Sequence, residues 1–291
     1  MTGLEGDPPA MRAYVVPLSS PAGAIKRFDT SIDDQPHHIV VNDKLRRGYA
    51  LVVGAIKVFS TDSDTLVSTS QKPSCSPEVL AINQATGMIY GGGLSDKGEC
   101  LVQFDSDGRI VRENVVAPSV QGKNMLVQRI LVDSASGDVL YTNPSSVGRA
   151  DQMLNEKWRT PVDGPAEVLD LGFEPHSNTV YVTVGNFPVI SPARVSVLDG
   201  GTGSQRGEFS GPGWTSQFAA TGDGQLFVAF FNSNDLYALS DGTSTLTKFA
   251  SLGDIPGRSP SDPKWLEVDT AGRRLFVSPG GDGHKILVYG Y

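Results

Sequence analysis

SNTVYVTV (177–184) sets a polar turn directly before a strand in which apolar and polar side chains alternate around an aromatic residue, Tyr181. Turn residues punctuating a short run rich in β-branched and aromatic side chains are the signature of a strand that is buried in part and paired on both sides. The same pattern recurs along the chain as RRGYALVV (46–53), TGMIYGGG (86–93), SGDVLYTN (136–143), DGQLFVAF (223–230) and AGRRLFVS (271–278). Its aromatic anchors are Tyr49, Tyr90, Tyr141, Tyr181, Phe227 and Phe276, at successive separations of 41, 51, 40, 46 and 49 residues. A fixed period of this size marks a repeat architecture.

Each anchor strand follows another short apolar strand and a tight turn: HHIVVN (37–42), EVLAIN (78–83), RILVD (129–133), VLDLGF (168–173), SQFAAT (216–221) and WLEVD (265–269). After most anchors comes an alternating segment ending at an Asp or Gly turn, as in IKVFSTDSD (56–64), LVQFDSDG (101–108), VSVLDGGTG (195–203) and LYALSDGT (236–243). A fourth strand such as TLVSTSQ (65–71) or RIVRE (109–113) completes the unit. One four-stranded unit cannot bury both of its faces, whereas radial stacking packs each on its neighbours. The reading is an all-β, six-bladed β-propeller of four-stranded antiparallel blades.

The blades are placed at about 37–71, 77–114, 125–162, 166–210, 214–251 and 263–291, one domain over residues 1–291. The last copy stops after its third strand, KILVYGY (285–291), while GAIKRFDT (23–30) precedes the first complete copy. Residues 24–28 are therefore expected to join the last blade as its outer strand and close the ring, covering an edge that would otherwise invite aggregation. The strand at 12–17 has no assigned place; an outward extension of that same blade and a partial additional blade are the alternatives.

Composition agrees: 33 Gly, 19 Pro and 39% hydrophobic residues over 291 positions describe a turn-rich chain rather than a helical one. A net charge of −8 with Lys and Arg scattered excludes a nucleic-acid footprint. No apolar run reaches the roughly 20 residues needed to cross a bilayer as a helix, so no membrane partner is expected. With Met1 as the native start and no signal-peptide layout, the expected location is cytoplasmic; secretion is the alternative if a signal peptide has been removed. For Cys75 and Cys100, which flank the second repeat, reduced buried thiols are the expectation in that setting, with a disulfide across the repeat as the alternative. Oligomeric state is left open.

Blade 3, GKNMLVQRILVDSASGDVLYTNPSSVG (122–148), resembles the gluconolactonase and senescence-marker-protein family, with strictosidine synthase nearby. YTNPSSVG (141–148) carries the likeness, and EPHSNTVYVTVG (174–185) and ATGDGQLFVA (220–229) extend it to about half the chain. The resemblance implies a divalent metal held in the tunnel by a Glu, two Asn and an Asp at the starts of innermost strands. Carried over, those positions fall on Gln128 and Arg129 in blade 3, near Leu169 or Asp170 in blade 4, on Ser216 in blade 5, and on His37 or His38 in blade 1; Glu78, in blade 2, best fits the Glu pattern. A hard cation wants oxygen ligands, and this set lacks most of them. The fold is expected without the metal, and no cofactor is expected.

The first residues of the innermost strands line a propeller tunnel, so the candidate catalytic residues are Glu78, His37, Gln128, Arg129 and Ser216. Candidate substrate-binding residues are His38, Glu167, Asp170, Phe187, Trp214 and Trp265. Mixed acids, bases and amides crowded together shift one another's pKa values toward acid–base work. The structural alternatives are a solvated His37–His38 pair, an ion pair between Glu78 and Arg129, a solvent-facing Glu167 and a Trp265 that packs between blades.

Long loops are read after the second strands of blade 3, NPSSVGRADQM (143–153), and blade 4, GNFPVISPA (185–193), with Phe187, Met153 and Trp214 as an apolar wall over the tunnel mouth. GGGLSDKGE (91–99) lacks the Lys-Ser/Thr of a phosphate loop, no nucleophile elbow exists, and DSDG (105–108) reads as a hairpin turn. The leading expectation is a metal-independent enzyme that cyclises, eliminates or isomerises a largely apolar small molecule, with a natural-product setting implied by the resemblance alone. Alternatives are a divalent-metal lactonase or esterase and a non-catalytic binding propeller.

Overall fold

The computed structural model describes residues 14–15, 26–27, 38–63, 65–118, 127–162, 167–185, 194–231, 233–240, 243–253, 265–278 and 286–291. They form strands and turns and no helix. Two short strands come first, β1 (Tyr14–Val15) and β2 (Lys26–Arg27). Blade 1 is β3 (His38–Asn42), β4 (Arg47–Val52), β5 (Ala55–Ser60) and β6 (Leu66–Thr69); blade 2 is β7 (Ser76–Ile82), β8 (Ile89–Ser95), β9 (Gly98–Phe104) and β10 (Ile110–Pro118). Blade 3 is β11 (Arg129–Val132), β12 (Val139–Asn143), β13 (Ser146–Ala150) and β14 (Glu156–Pro161); blade 4 is β15 (Glu167–Glu174), β16 (Thr179–Gly185), β17 (Arg194–Asp199) and β18 (Gln205–Ser210). Blade 5 is β19 (Trp214–Ala220), β20 (Gln225–Phe231), β21 (Asp235–Ser240) and β22 (Thr247–Ser251), and blade 6 is β23 (Trp265–Asp269), β24 (Arg274–Ser278) and β25 (Leu287–Gly290). Every blade is an antiparallel meander, with its strands paired in chain order. The fold is a six-bladed β-propeller, and the chain divides into two compact units, residues 1–121 with blades 1 and 2 and residues 122–291 with blades 3 to 6.

One local device starts every blade. The last residue of the inner strand, or the one after it, turns the chain: Asn42, Asn83, Asp133, Glu174 and Asp269 each accept a backbone N–H two or three residues ahead, at 2.9–3.1 Å. Thr221 does the corresponding work in blade 5, its hydroxyl donating to the Gln225 carbonyl at 2.9 Å. A residue in the left-handed region then leads into the second strand: Arg46, Gly87, Gly137, Asn178, Gly224 and Arg273. Short polar side chains that satisfy the turn's own amides make such hairpins self-sufficient.

Counting from that left-handed residue corrects the alignment of the anchors. The aromatic stands three places on in five blades, but in blade 3 the third place is Leu140 and Tyr141 is the fourth. Successive side chains alternate faces, so Tyr141 lies on the opposite face of its strand from the other anchors. Leu140 packs with blade 4, and the Tyr141 hydroxyl instead donates to Glu156 at 2.9 Å, its burial pushing the phenol pKa well up.

Within each unit the core consists of the seams between successive blades. Tyr49, Leu51 and Val58 of blade 1 pack on Leu80, Ile89, Val102 and Phe104 of blade 2. In the second unit, Tyr181 and Val197 pack on Phe218, Leu226 and Val228 between blades 4 and 5, and Phe227 and Leu236 on Leu266, Leu275 and Val277 between blades 5 and 6. Each such side chain contributes about 1.5–3 kcal/mol by leaving water.

The seam between blades 3 and 4 adds a buried charge cluster. Arg149, 4% exposed, donates through Nε to Asp138 (2.8 Å), through Nη2 to Asp133 (2.7 Å), and through Nη1 to Asn178 Oδ1 and the Gly200 carbonyl (both 2.9 Å). Lys157 reaches Asp138 from the other side at 2.8 Å. One guanidinium therefore ties two turns of blade 4 to the first hairpin of blade 3.

Three expectations are corrected. Cys75 and Cys100 are joined in a disulfide, not reduced. Cys75 lies where the chain enters blade 2, beside Glu113 of β10, which accepts its N–H at 2.8 Å, so the bridge fastens that incoming segment across the blade. Lys26–Arg27 pairs with Tyr14–Val15 in a ladder of its own, which gives the 12–17 segment a partner, and blade 6 has three strands among the described residues. The expected long loop of blade 3 is a strand: Pro144 and Ser145 turn tightly between Asn143 and Ser146, with Asn143 Oδ1 accepting the Ser145 N–H at 2.8 Å, and 146–150 is β13.

Candidate functional site

Register fixes which residue of each inner strand occupies the equivalent place near its start. They are His38 opposite Leu51, Val79 opposite Gly92, Arg129 opposite Thr142, Asp170 opposite Thr183, Gln217 opposite Ala229 and Trp265 opposite Ser278. Three of them reach the inner strand of the next blade. His38 Nδ1 accepts the Leu80 N–H at 2.7 Å, Gln217 Oε1 accepts the Leu266 N–H, and Arg129 Nε donates to Asp170 Oδ1 at 3.2 Å. Inner strands present unpaired backbone groups along one edge, and a polar side chain from the preceding blade satisfies one of them.

The Arg129–Asp170 pair differs from the other two ties in having spare capacity. The Asp170 side chain is only 4% exposed, against 43% for Arg129. Its Oδ2 is buried without a hydrogen-bond partner. Burial raises the Asp170 pKa to about 6, against the opposing effects of the Arg129 charge and the Leu171 N–H. Arg129 Nη1 donates to the Gln128 carbonyl at 3.2 Å, and Nη2 has no partner among the described residues. Opposite Arg129, and so on the same face of the sheet, the hydroxyl of Thr142 is also buried and unpartnered. A buried orphan acid beside a half-exposed guanidinium can exchange a proton near neutral pH while the cation holds an anionic or carbonyl group.

The other candidates are placed as follows. Glu78 is exposed and is the extra residue of a bulge between Pro77 and Val79; Leu169 and Ser216 stand at the same bulge in blades 4 and 5. Bulges re-aim side chains out of the ladder. Gln128 is half-buried with its N–H bonded to the Thr142 carbonyl at 2.8 Å. Glu167 is exposed at the first position of β15, and Trp265 is 56% exposed at the first position of β23. Trp214 and Ser216 belong to β19, but their side chains lie outside the described residues, as do His37 and Phe187 altogether. Met153 occupies the turn between β13 and β14, at the end of blade 3 opposite to Arg129 and Thr142, so it does not belong to a wall at that mouth.

Sequence reading placed Asp170 and Arg129 separately and did not pair them, because their contact crosses 41 residues. It missed Gln217, the neighbour of Ser216, which a one-residue bulge brings into register opposite Ala229 and whose side chain meets the Leu266 N–H of the next blade. No sequence signal marks the orphan hydroxyl of Thr142.

The divalent-metal centre implied by the resemblance finds no fit among these residues. Where oxygen ligands should converge, Arg129 is ion-paired to Asp170, and a fixed cation opposes a second one. Among the described residues no three His, Cys, Asp or Glu side chains are grouped to share an ion.

No known protein family's profile matches the chain, and no curated protein matches it in sequence. Solved structures do match in shape. A chain in the "Crystal Structure of Mitotic Checkpoint Complex" superposes with a TM-score of 0.72 at 15% identity, covering 96% of this chain and 81% of that one. A chain of "Kuenenia stuttgartiensis Hydrazine Synthase" superposes with a TM-score of 0.64 at 10% identity, covering 87% and 76%. At these identities the likeness is one of fold, and fold does not carry function.

Proposed function

We propose that this chain is a metal-independent enzyme that acts on a small, largely apolar organic molecule, with Asp170 as its acid–base group and Arg129 as the group that orients the substrate's polar end. The observation that carries this reading is the orphan oxygen of Asp170, buried beside a guanidinium with an unused edge. A carboxyl held near pH 6 is present in both protonation states around neutrality, which suits proton removal and return in an isomerisation, elimination or cyclisation. Arg129 stabilises the anionic form of Asp170 and can stabilise negative charge developing on a carbonyl oxygen. Gln128, the neighbour of Arg129 at the same strand end, remains as a group that contacts the substrate.

The test is untargeted turnover. Purified protein is incubated with a metabolite extract in the presence of a chelator and the mixture is compared by mass spectrometry with one containing Asp170→Asn. Depletion of a compound by the wild type with chelator present, absent with the variant, supports the reading. Depletion that survives Asp170→Asn, or that the chelator abolishes, overturns it, and so does no depletion at all.

A second reading, a non-catalytic binding propeller, is favoured by the use of His38, Arg129 and Gln217 as ties between blades. Under it the inner strands serve assembly alone and ligands bind elsewhere on the loops.

A further inference from the structure

We propose that Arg129, Asp170 and Thr142 form a coupled site for a small organic carboxylate, in which binding of the anion to Arg129 is accompanied by uptake of one proton at Asp170. The proposal rests on the reading above, since it names the chemical class held at the same site.

The geometry supplies both halves. Arg129 spends Nε on Asp170 and one Nη1 hydrogen on the Gln128 carbonyl, leaving Nη2 without a partner among the described residues on a side chain that is 43% exposed. A guanidinium edge presents parallel N–H donors that match a carboxylate. Beneath it, Asp170 Oδ2 and Thr142 Oγ1 are both buried without partners, and buried polar atoms left orphaned in an otherwise satisfied seam mark a place where a group is missing.

The charges couple the two events. Besides Arg129 on β11, the described parts of the strands packed on β15 bring no charged side chain toward Asp170: β19 and β20 have no titratable group, β12 and β16 contribute only the phenols of Tyr141 and Tyr181, and β15 itself carries Glu167 and Glu174 at its two ends. Among the described residues, Arg129 is the cation that holds Asp170 ionised against its burial. An arriving carboxylate shares that cation and places a second negative charge beside the first, so the buried carboxyl takes a proton from solvent. Once protonated, Asp170 no longer repels the ligand and gains an O–H to donate. A single guanidinium beside an acid suits a monoanion; a phosphate dianion would exceed the one positive charge available.

The experiment is calorimetric titration of the whole chain with sodium benzoate, with benzyl alcohol as the neutral control, in two buffers of different ionisation heat. Linkage predicts about one proton taken up at pH 7.5 and an affinity that falls by at most roughly fifty-fold between pH 6 and pH 8. Asp170→Asn should bind benzoate with no proton uptake and a flat pH profile. Arg129→Gln should bind at least about tenfold more weakly, consistent with loss of a charged hydrogen bond. Near-ultraviolet circular dichroism matched to wild type establishes that each variant is folded, with Arg129→Lys as the substitute if Arg129→Gln is not. No benzoate binding in the millimolar range, uptake that persists in Asp170→Asn, or unaltered affinity in Arg129→Gln overturns the proposal. Benzoate binding without any turnover would overturn only the enzymatic reading, and turnover that depends on Asp170 without benzoate binding would overturn only this one.

Discussion

Replacing Arg149 by Met should remove more stability than any other single substitution at the seam between blades 3 and 4. The side chain is 4% exposed and touches two carboxylates, an amide and a carbonyl at 2.7–2.9 Å. Met fills much of the same volume, so packing is largely kept and the loss is electrostatic. Asp133 would keep the Ala135 N–H and the Ser136 hydroxyl, and Asp138 would keep Lys157, while Asn178 Oδ1 and the Gly200 carbonyl each lose a donor. Breaking a buried ion cluster from one side costs about 3–5 kcal/mol, and because Lys157 partly compensates one carboxylate, we expect about 4. Arg149→Lys retains the charge but cannot span all four oxygens, and should cost about 2 kcal/mol through the acceptors left unsatisfied. Urea unfolding followed by tryptophan emission reads this seam directly, because Trp158 donates its indole N–H to the same Gly200 carbonyl at 2.9 Å. A loss under about 1 kcal/mol for Arg149→Met at an unchanged m-value would refute the account, as would Arg149→Lys proving the worse of the two. A double-mutant cycle with Asp138→Asn should return a coupling well above the error of the measurement.

Two further outcomes are expected. Removing the Cys75–Cys100 bridge with a double Ala substitution, which opens a loop of 25 residues, should cost about 3.5 kcal/mol by loop-closure entropy; a change under about 1 would show that the incoming segment is held without it. Asp170 titrates near 6 in the folded chain, above its ordinary value of 3.8, so the folded state binds that proton more tightly than the unfolded one. Its contribution is therefore most favourable below about pH 4, declines as pH rises to about 6 and is level above, by about 3 kcal/mol in all. The difference in unfolding free energy between wild type and Asp170→Asn should trace that decline, and a difference constant from pH 4 to 7 would refute the assignment.

The architecture was legible because its determinants are local and repeated. Each inner strand ends on a side chain that satisfies its own turn, a left-handed residue follows, and alternation resumes, all within about ten residues and six times over. What sequence could not resolve has a range of one residue or of forty. Tyr141 looks like every other anchor, but it stands one place further along its strand from the same turn, and a one-residue slip transfers a side chain to the other face of its sheet. The run after Asn143 reads as a loop because Pro and Ser are turn formers; only the ladder with β12 shows that the turn is two residues long and the rest is strand.

The site was legible as a set of positions and not as a set of partners. The sequence by itself determined that polar residues such as His38, Arg129 and Asp170 begin the innermost strands, since strand starts follow from the repeat. Only the tertiary structure decided that Arg129 meets Asp170, that Gln217 reaches the next blade, that Glu78 stands exposed on a bulge, and that Cys75 closes on Cys100. The physical reason is one of scale. Turns and alternation are set by neighbours along the chain, whereas charge pairing, burial and proton affinity are set by whichever side chain the adjacent blade delivers, and that side chain lies a full repeat away.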